Sequence, residues 1–174
     1  MSFLRSNASI ILALAATVLV AGRVHATDVS MAGGSVHFST PDAWLGIMET
    51  EGDPEVRVFQ VPDPSPTGKS SLARVSVTVK QVADISSFQQ YIAEATAKAM
   101  ALPGYKAAAV PPGPNSNVYT AQENAIQFSY VEHYWLKDGH AVQLRCVRPS
   151  LSQAGAAWKA EFDKGCDAIA ARLK

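Results

Sequence analysis

The sequence predicts an α+β fold: an antiparallel β-sheet flanked by helices on both faces, an α/β/α sandwich. Three observations carry this expectation. Stretches with apolar residues at period two give way to two long stretches of helical period. An Asp138-Gly139 pair joins two long apolar runs as a two-residue hairpin turn. Both faces of that hairpin are apolar enough to need cover, as in a sheet with helices on either side. The composition fits: 174 residues, 48% hydrophobic and 17% charged, describe an ordinary globular domain rather than a disordered chain. Fifteen Lys+Arg against 15 Asp+Glu leave no basic footprint for nucleic acid.

Residues 1–26 read as a secretory signal peptide. Arg5 precedes an apolar run over 10–21, and Val24-His25-Ala26 supplies small residues for cleavage before Thr27. Ala21 offers an earlier cleavage point. The run falls short of the roughly 20 apolar residues a spanning helix needs. No cysteine lies near the cut to take a lipid, and no second apolar run follows, so no membrane span is expected after signal removal. Removal takes away Arg5 and Arg23 and no acid, leaving 13 basic residues against 15 acidic, a net charge of −2.

Residues 27–34 end in Gly33-Gly34 and are expected to be a flexible arm, with a single domain over 35–174. Strands are expected over 35–39, 44–49 and 56–61, the last two joined through Gly52-Asp53-Pro54. Pro62, Pro64 and Pro66 make 62–68 an exposed loop, since proline removes backbone donors. Val75, Val77 and Val79 mark a strand over 74–82. Phe88, Tyr91, Ile92, Ala95, Ala99 and Leu102 then share a helical stripe. Asp84 or Ser86 can cap this helix, Ser86 with Gln89 as a capping box, and Pro103-Gly104 stops it. A strand over 105–110 and a second proline loop over 111–115 follow.

The hairpin comprises 126–136 and 141–147. With Asp138-Gly139 as the turn, Lys137 faces His140, Glu132 faces Arg145 and Val131 faces Cys146. Opposite charges across the strands support that register. One face carries Val131, His133, Trp135, Val142, Leu144 and Cys146; the other carries Ile126, Phe128, Tyr130, Tyr134 and Leu136. A closing helix over 152–173 aligns Trp158, Phe162, Cys166, Ile169 and Leu173 on one stripe. Two independent periodicities thus turn Cys146 and Cys166 toward one core. In an exported chain that predicts a disulfide joining the last helix to the hairpin.

Catalytic signals are weak. Gly68-Lys69-Ser70 lacks the leading glycine of a phosphate loop, and a strand rather than a helix follows it. No histidine or cysteine spacing matches a metal site, and no cofactor motif is present. His133 is the best candidate base, but Glu132 beside it points to the opposite face of the strand. Glu49 and Glu51 share strand parity near a turn; they read first as a solvated strand end, and as a glycosidase-type pair only if a cleft and matched pKa values accompany them. What remains is an interaction surface. Tyr130, Tyr134, Gln143 and Arg145 share a face, and Tyr and Arg are enriched at interface hot spots. Alternatively, a helix covers that face as ordinary core.

The order of elements carries a resemblance. Phe38-Ser39-Thr40-Pro41-Asp42-Ala43-Trp44 is similar to the Phe-x-x-Pro-x-x-Trp signature of PsbP-like and DcrB-like domains, with Ala43 where a glycine is usual. A long helix after a valine-rich strand, and a hairpin followed by a closing helix, extend the likeness over most of 34–174. The resemblance implies an antiparallel sheet with helices on both faces and a non-catalytic role. Members include photosystem accessory proteins, a Ran-binding import factor, bacterial envelope proteins linked to phage uptake and adaptors in type VI secretion. No catalytic residues are shared among them. The DcrB-type members are often lipoproteins, whereas this chain has no cysteine for a lipid. The expectation is therefore a periplasmic or secreted domain that binds a protein partner, a toxin or an envelope complex, by occlusion or scaffolding. An immunity protein blocking a secreted toxin is the sharper version. The alternative is a small periplasmic hydrolase using His133 or Glu49/Glu51.

Overall fold

The computed structural model describes residues 26–109 and 113–174. The segment expected as a signal peptide, apart from Ala26, lies outside the described residues, as does part of the second proline loop. A seven-stranded antiparallel sheet forms the frame, in the order β3-β4-β5-β9-β8-β7-β6. These strands are β3 (Leu45–Thr50), β4 (Glu55–Gln60), β5 (Arg74–Gln81), β6 (Lys106–Ala107), β7 (Ser116–Glu123), β8 (Ile126–Lys137) and β9 (His140–Pro149). Strands β1 (Ala26–Met31) and β2 (Val36–Pro41) form a separate two-stranded sheet. The helices are a single turn α1 (Thr67–Ser70), α2 (Ile85–Met100) and α3 (Gly155–Leu173).

The central hairpin has the expected register. Lys137 pairs with His140, Glu132 with Arg145 and Val131 with Cys146. Asp138 and Gly139 both adopt positive φ, the geometry a two-residue turn of this type needs. Strand β5 then pairs along β9, placing Val75, Val77 and Val79 beside Cys146, Leu144 and Val142. These six are buried on one face of the sheet. Burying a valine side chain contributes about 1.5–3 kcal/mol.

Helix α3 covers that face with Phe162, Cys166, Ile169 and Leu173. Cys146 and Cys166 are disulfide-bonded, with Cα atoms 6.4 Å apart. Gly165 lets the helix approach the Trp44 ring, which stacks on Phe162 at 6.3 Å; a Cβ at 165 would overlap that ring. Helix α2 lies on the opposite face. Asp84 caps it by accepting from the Ser87 backbone N–H at 2.7 Å. Phe88, Tyr91, Ile92 and Ala95 pack on Tyr134 and Ala141, and Ala99 packs beside Tyr119 and Tyr130.

Two expectations are corrected. The fold is not an α/β/α sandwich: strands make up 44% of the described residues and helices 29%, so the described part is predominantly antiparallel sheet. The helices do not form complete layers. On the Cys146 face, α3 shares the cover with the β1–β2 sheet, which inserts Met31, Val36 and Phe38 into the core. The edge strand β3 has no buried residue at all. The second correction concerns 27–34, expected as a flexible arm. Residues 26–31 pair in antiparallel register with 36–41, and the turn at Ala32–Gly34 is tied down by a 2.6 Å bond from the Ala32 N–H to Glu55. Strand β7 has no counterpart among the expected elements, while the strand expected over 105–110 shrinks to the two residues of β6. Among the described residues no helix is long and apolar enough to cross a membrane.

Candidate functional site

The even-numbered residues of β8 and the odd-numbered residues of β9 project toward α2. This places Glu132 between Tyr130 and Tyr134, an acid on an otherwise aromatic face. Glu132 is 2% exposed. Leaving a buried carboxylate unpaired would be costly, and the surrounding residues supply partners. Tyr119 donates to Glu132 Oε1 at 3.0 Å and Tyr134 donates to Oε2 at 2.7 Å. Arg145 Nε lies 2.9 Å from Oε1 as an ion pair. Arg145 Nη2 also donates to the Tyr119 hydroxyl at 3.2 Å, and its guanidinium sits 5.2 Å above the Tyr130 ring.

The network runs on in one direction. Tyr91 donates to Gln143 Oε1 at 3.0 Å, Gln143 Nε2 donates to the Tyr134 hydroxyl at 3.2 Å, and Tyr134 donates to Glu132. Tyr130 donates to Glu123, which Arg74 also binds. Each tyrosine proton is therefore committed to an acceptor. Burial, followed by the Glu132 charge, pushes the Tyr91 hydroxyl up to about 12 and raises Tyr119 and Tyr134 as well. Burial and the bond to Glu123 raise Tyr130. Hydroxyls held protonated in this way are poor bases and poor nucleophiles; they serve to orient Glu132 and Arg145.

Between α2 and this face lies a cleft of about 500 Å3. Thr78, Lys80, Gln143, Arg145 and Glu132 line it from the sheet, and Tyr91, Glu94, Lys98 and Leu102 from the helix side. The expected partner surface is corrected accordingly. Tyr130 and Tyr134 are buried at 0% and 2% exposure, because α2 and the segment after it lie across them. Gln143 and Arg145 are half-buried and belong to the lining of the cleft. Glu132 escaped the sequence reading as a site residue. Its signal was an acid of the same parity as two tyrosines, opposite an arginine.

The hydrolase candidates do not come together. Glu49 is exposed and ion-paired to Arg57 at 2.7 Å, and Glu51 is an exposed residue beyond the end of β3. His133 lies on the other face, half-buried and stacked on Trp135 at 5.7 Å. It lines a second cavity with Ser116, Asp167 and Lys174. The Ser116 hydroxyl donates to the Gly113 carbonyl instead, and no hydrogen bond joins His133 to Ser116 or Asp167. Burial lowers the His133 pKa below its ordinary 6.5, with Asp167 pulling the other way. Among the described residues, no group of three or more His, Cys, Asp or Glu could hold a metal ion. No protein-family model matches the chain, and no curated protein matches it. The likeness to PsbP-like and DcrB-like domains therefore rests on the residues that suggested it.

Proposed function

We propose that this chain is an exported, non-catalytic domain that binds a protein partner and works by occluding or scaffolding it. The immunity-type role, blocking a secreted toxin, is the sharper form of the same reading. The observation that carries it is the edge strand β3. One side of β3 pairs with β4; the other has no strand neighbour among the described residues. Leu45, Ile47 and Met48 are 54%, 46% and 51% exposed there, and a register shift between Gly46 and Met48 leaves Ile47 without a partner in β4. A free edge with large apolar side chains is what β-strand addition uses. Asp42, Glu49 and Glu51 are exposed around it, and the nearby cation Arg57 is occupied by Glu49 and Glu55. The fitting occupant is an extended segment of a partner, apolar at its centre and basic at its ends.

Export is supported by the signal-like first 26 residues and by the Cys146–Cys166 disulfide, a bond favoured in oxidising compartments. A periplasmic or secreted location follows from that reading. The kinship with PsbP-like and DcrB-like domains, proposed on Phe38 to Trp44, points to a non-catalytic role too. The test is capture from an envelope extract with wild-type protein and with Ile47→Lys/Met48→Lys. The wild type is expected to retain one stoichiometric partner and to gain hydrogen-exchange protection at β3 amides. The double variant is expected to keep its thermal midpoint and lose the partner. No specific partner, or equal capture by the variant, would overturn the reading.

A further inference from the structure

The cleft under α2 is separate from the β3 edge and has a chemistry of its own. Its volume of about 500 Å3 falls within the ordinary range for small-molecule sites. Its charged lining is Lys80, Lys98 and Arg145 against Glu94 and Glu132, an excess of one positive charge. The chain without its first 26 residues has the opposite sign, at −2. The positive charge of the cleft is thus local.

The two acids and the three cations differ in what they have left to offer. Glu132 is already satisfied by Tyr119, Tyr134 and Arg145. Glu94 accepts from Gln90 at 2.9 Å. By contrast, neither Lys80 nor Lys98 makes a salt bridge among the described residues. Lys80 Nζ instead stands 5.9 Å from the Tyr91 ring centroid. Arg145 spends Nη2 on Tyr119 and sets Nε against Glu132, and its remaining donors have no partner among the described residues. Glu132 is consumed, Glu94 keeps one oxygen open at the exposed rim, and three groups carrying positive charge line the cleft.

The walls are set in advance. The one-way chain from Tyr91 through Gln143 and Tyr134 to Glu132 fixes the polar floor, and Ala95, Ala99 and Leu102 give the roof a small apolar stretch. A guanidinium already held over Tyr130 by Glu132 and Tyr119 loses little freedom on binding a ligand. A cationic ligand would find one open charged acceptor, Glu94 at the rim, and would face three cations.

We infer that this cleft binds a small molecule bearing an oxyanion, a carboxylate or a phosphate. Arg145, Lys98 and Lys80 take the anion, and the body of the ligand rests against Ala95, Ala99 and Leu102. The buried Glu132 is a positioning residue: it turns Arg145 toward the cleft and holds it there.

The experiment is calorimetric titration of the full mature chain with inorganic phosphate and, separately, with citrate, at constant ionic strength so that general screening is fixed. Saturable binding of at least one is expected, with a Kd at or below about 1 mM. Tighter binding of citrate would assign the site to carboxylates, and tighter binding of phosphate to phosphate esters. The double variant Lys80→Gln/Lys98→Gln should weaken binding at least about ten-fold, since charge-assisted hydrogen bonds are the strong ones. Lys69→Gln and Lys159→Gln, at exposed positions outside the cleft lining, should leave it unchanged. Thermal midpoints of all variants without ligand show that they fold. The inference is overturned if neither anion binds saturably up to about 10 mM, a concentration at which a site of the stated affinity would be nearly full. It is equally overturned if the remote variants weaken binding as much as the cleft variant does.

Discussion

The two faces of the sheet are built from the same strands and differ completely in chemistry. Toward α3, β5 and β9 present Val75, Val77, Val79, Val142, Leu144 and Cys146, and the layer between is apolar and bolted by a disulfide. Toward α2, the intervening positions are Ser76, Thr78, Lys80, Gln143 and Arg145, with Tyr130, Glu132 and Tyr134 from β8. Period two lets one strand write both messages. The dry face is stable because the buried side chains that β5 and β9 place on it need no hydrogen-bond partner. The wet face is stable because most of its buried polar groups have found one, and it pays for that with dependence on each link.

The sharpest way to break this contrast is Glu132→Ala. It leaves the buried hydroxyls of Tyr119 and Tyr134 and the half-buried Arg145 without their acceptor. A fully buried broken pair costs about 3–5 kcal/mol, and because the Arg145 side chain is 34% exposed to solvent the expected loss falls to about 2–3 kcal/mol. Glu132→Gln keeps acceptor oxygen for one tyrosine and should lose less. Denaturant unfolding reads both; a loss under about 1 kcal/mol for the alanine variant would mean that water already satisfies the wet face.

On the dry face the corresponding break is Cys146→Ser/Cys166→Ser. The bond spans a sequence separation of 20, for which chain entropy gives about 3 kcal/mol. The same unfolding measurement should show that loss, with the oxyanion affinity of the cleft unaltered. If the affinity falls as well, the two faces are coupled rather than independent.

The smallest effect belongs to His133. Its folded pKa lies below the unfolded 6.5, so the unfolded chain binds the proton more readily. The stability associated with the neutral ring is complete above about 6.5 and declines as pH falls through the window between the two values. Thermal midpoints at pH 7.5 and pH 5 should therefore differ less in His133→Gln than in the wild type. An equal difference would show that other groups govern that pH range.

The sequence made legible whatever one period or one pair could carry. Asp138-Gly139 and the Glu132/Arg145 opposition set the register of β8 and β9. The stripes from Phe88 to Leu102 and from Trp158 to Leu173 located α2 and α3, and the two cysteines could be paired from those stripes. Strand β7 was hidden because its buried positions are Tyr119 and Ala121, alternating with Val118 and Thr120, so apolarity does not separate its faces. Strand β1 was hidden because only Val29 and Met31 mark it, and its partner β2 gives it meaning. The sandwich expectation failed at the same place: with β1 and β2 covering part of one face, a complete helical layer is not needed there. The interaction surface failed through parity alone. Period two put Tyr130, Tyr134, Gln143 and Arg145 together correctly but could not say that α2 would lie over the tyrosines, reach Gln143 through Tyr91 and leave a cleft beside Arg145.

The cystine has one further consequence. The connection between β9 and α3 contains Leu151, 90% exposed, and it lies inside the ring closed by Cys146 and Cys166. A protease cutting there severs the backbone without freeing the fragment that follows. The nicked molecule keeps its last helix attached and travels as one piece until a reductant parts it.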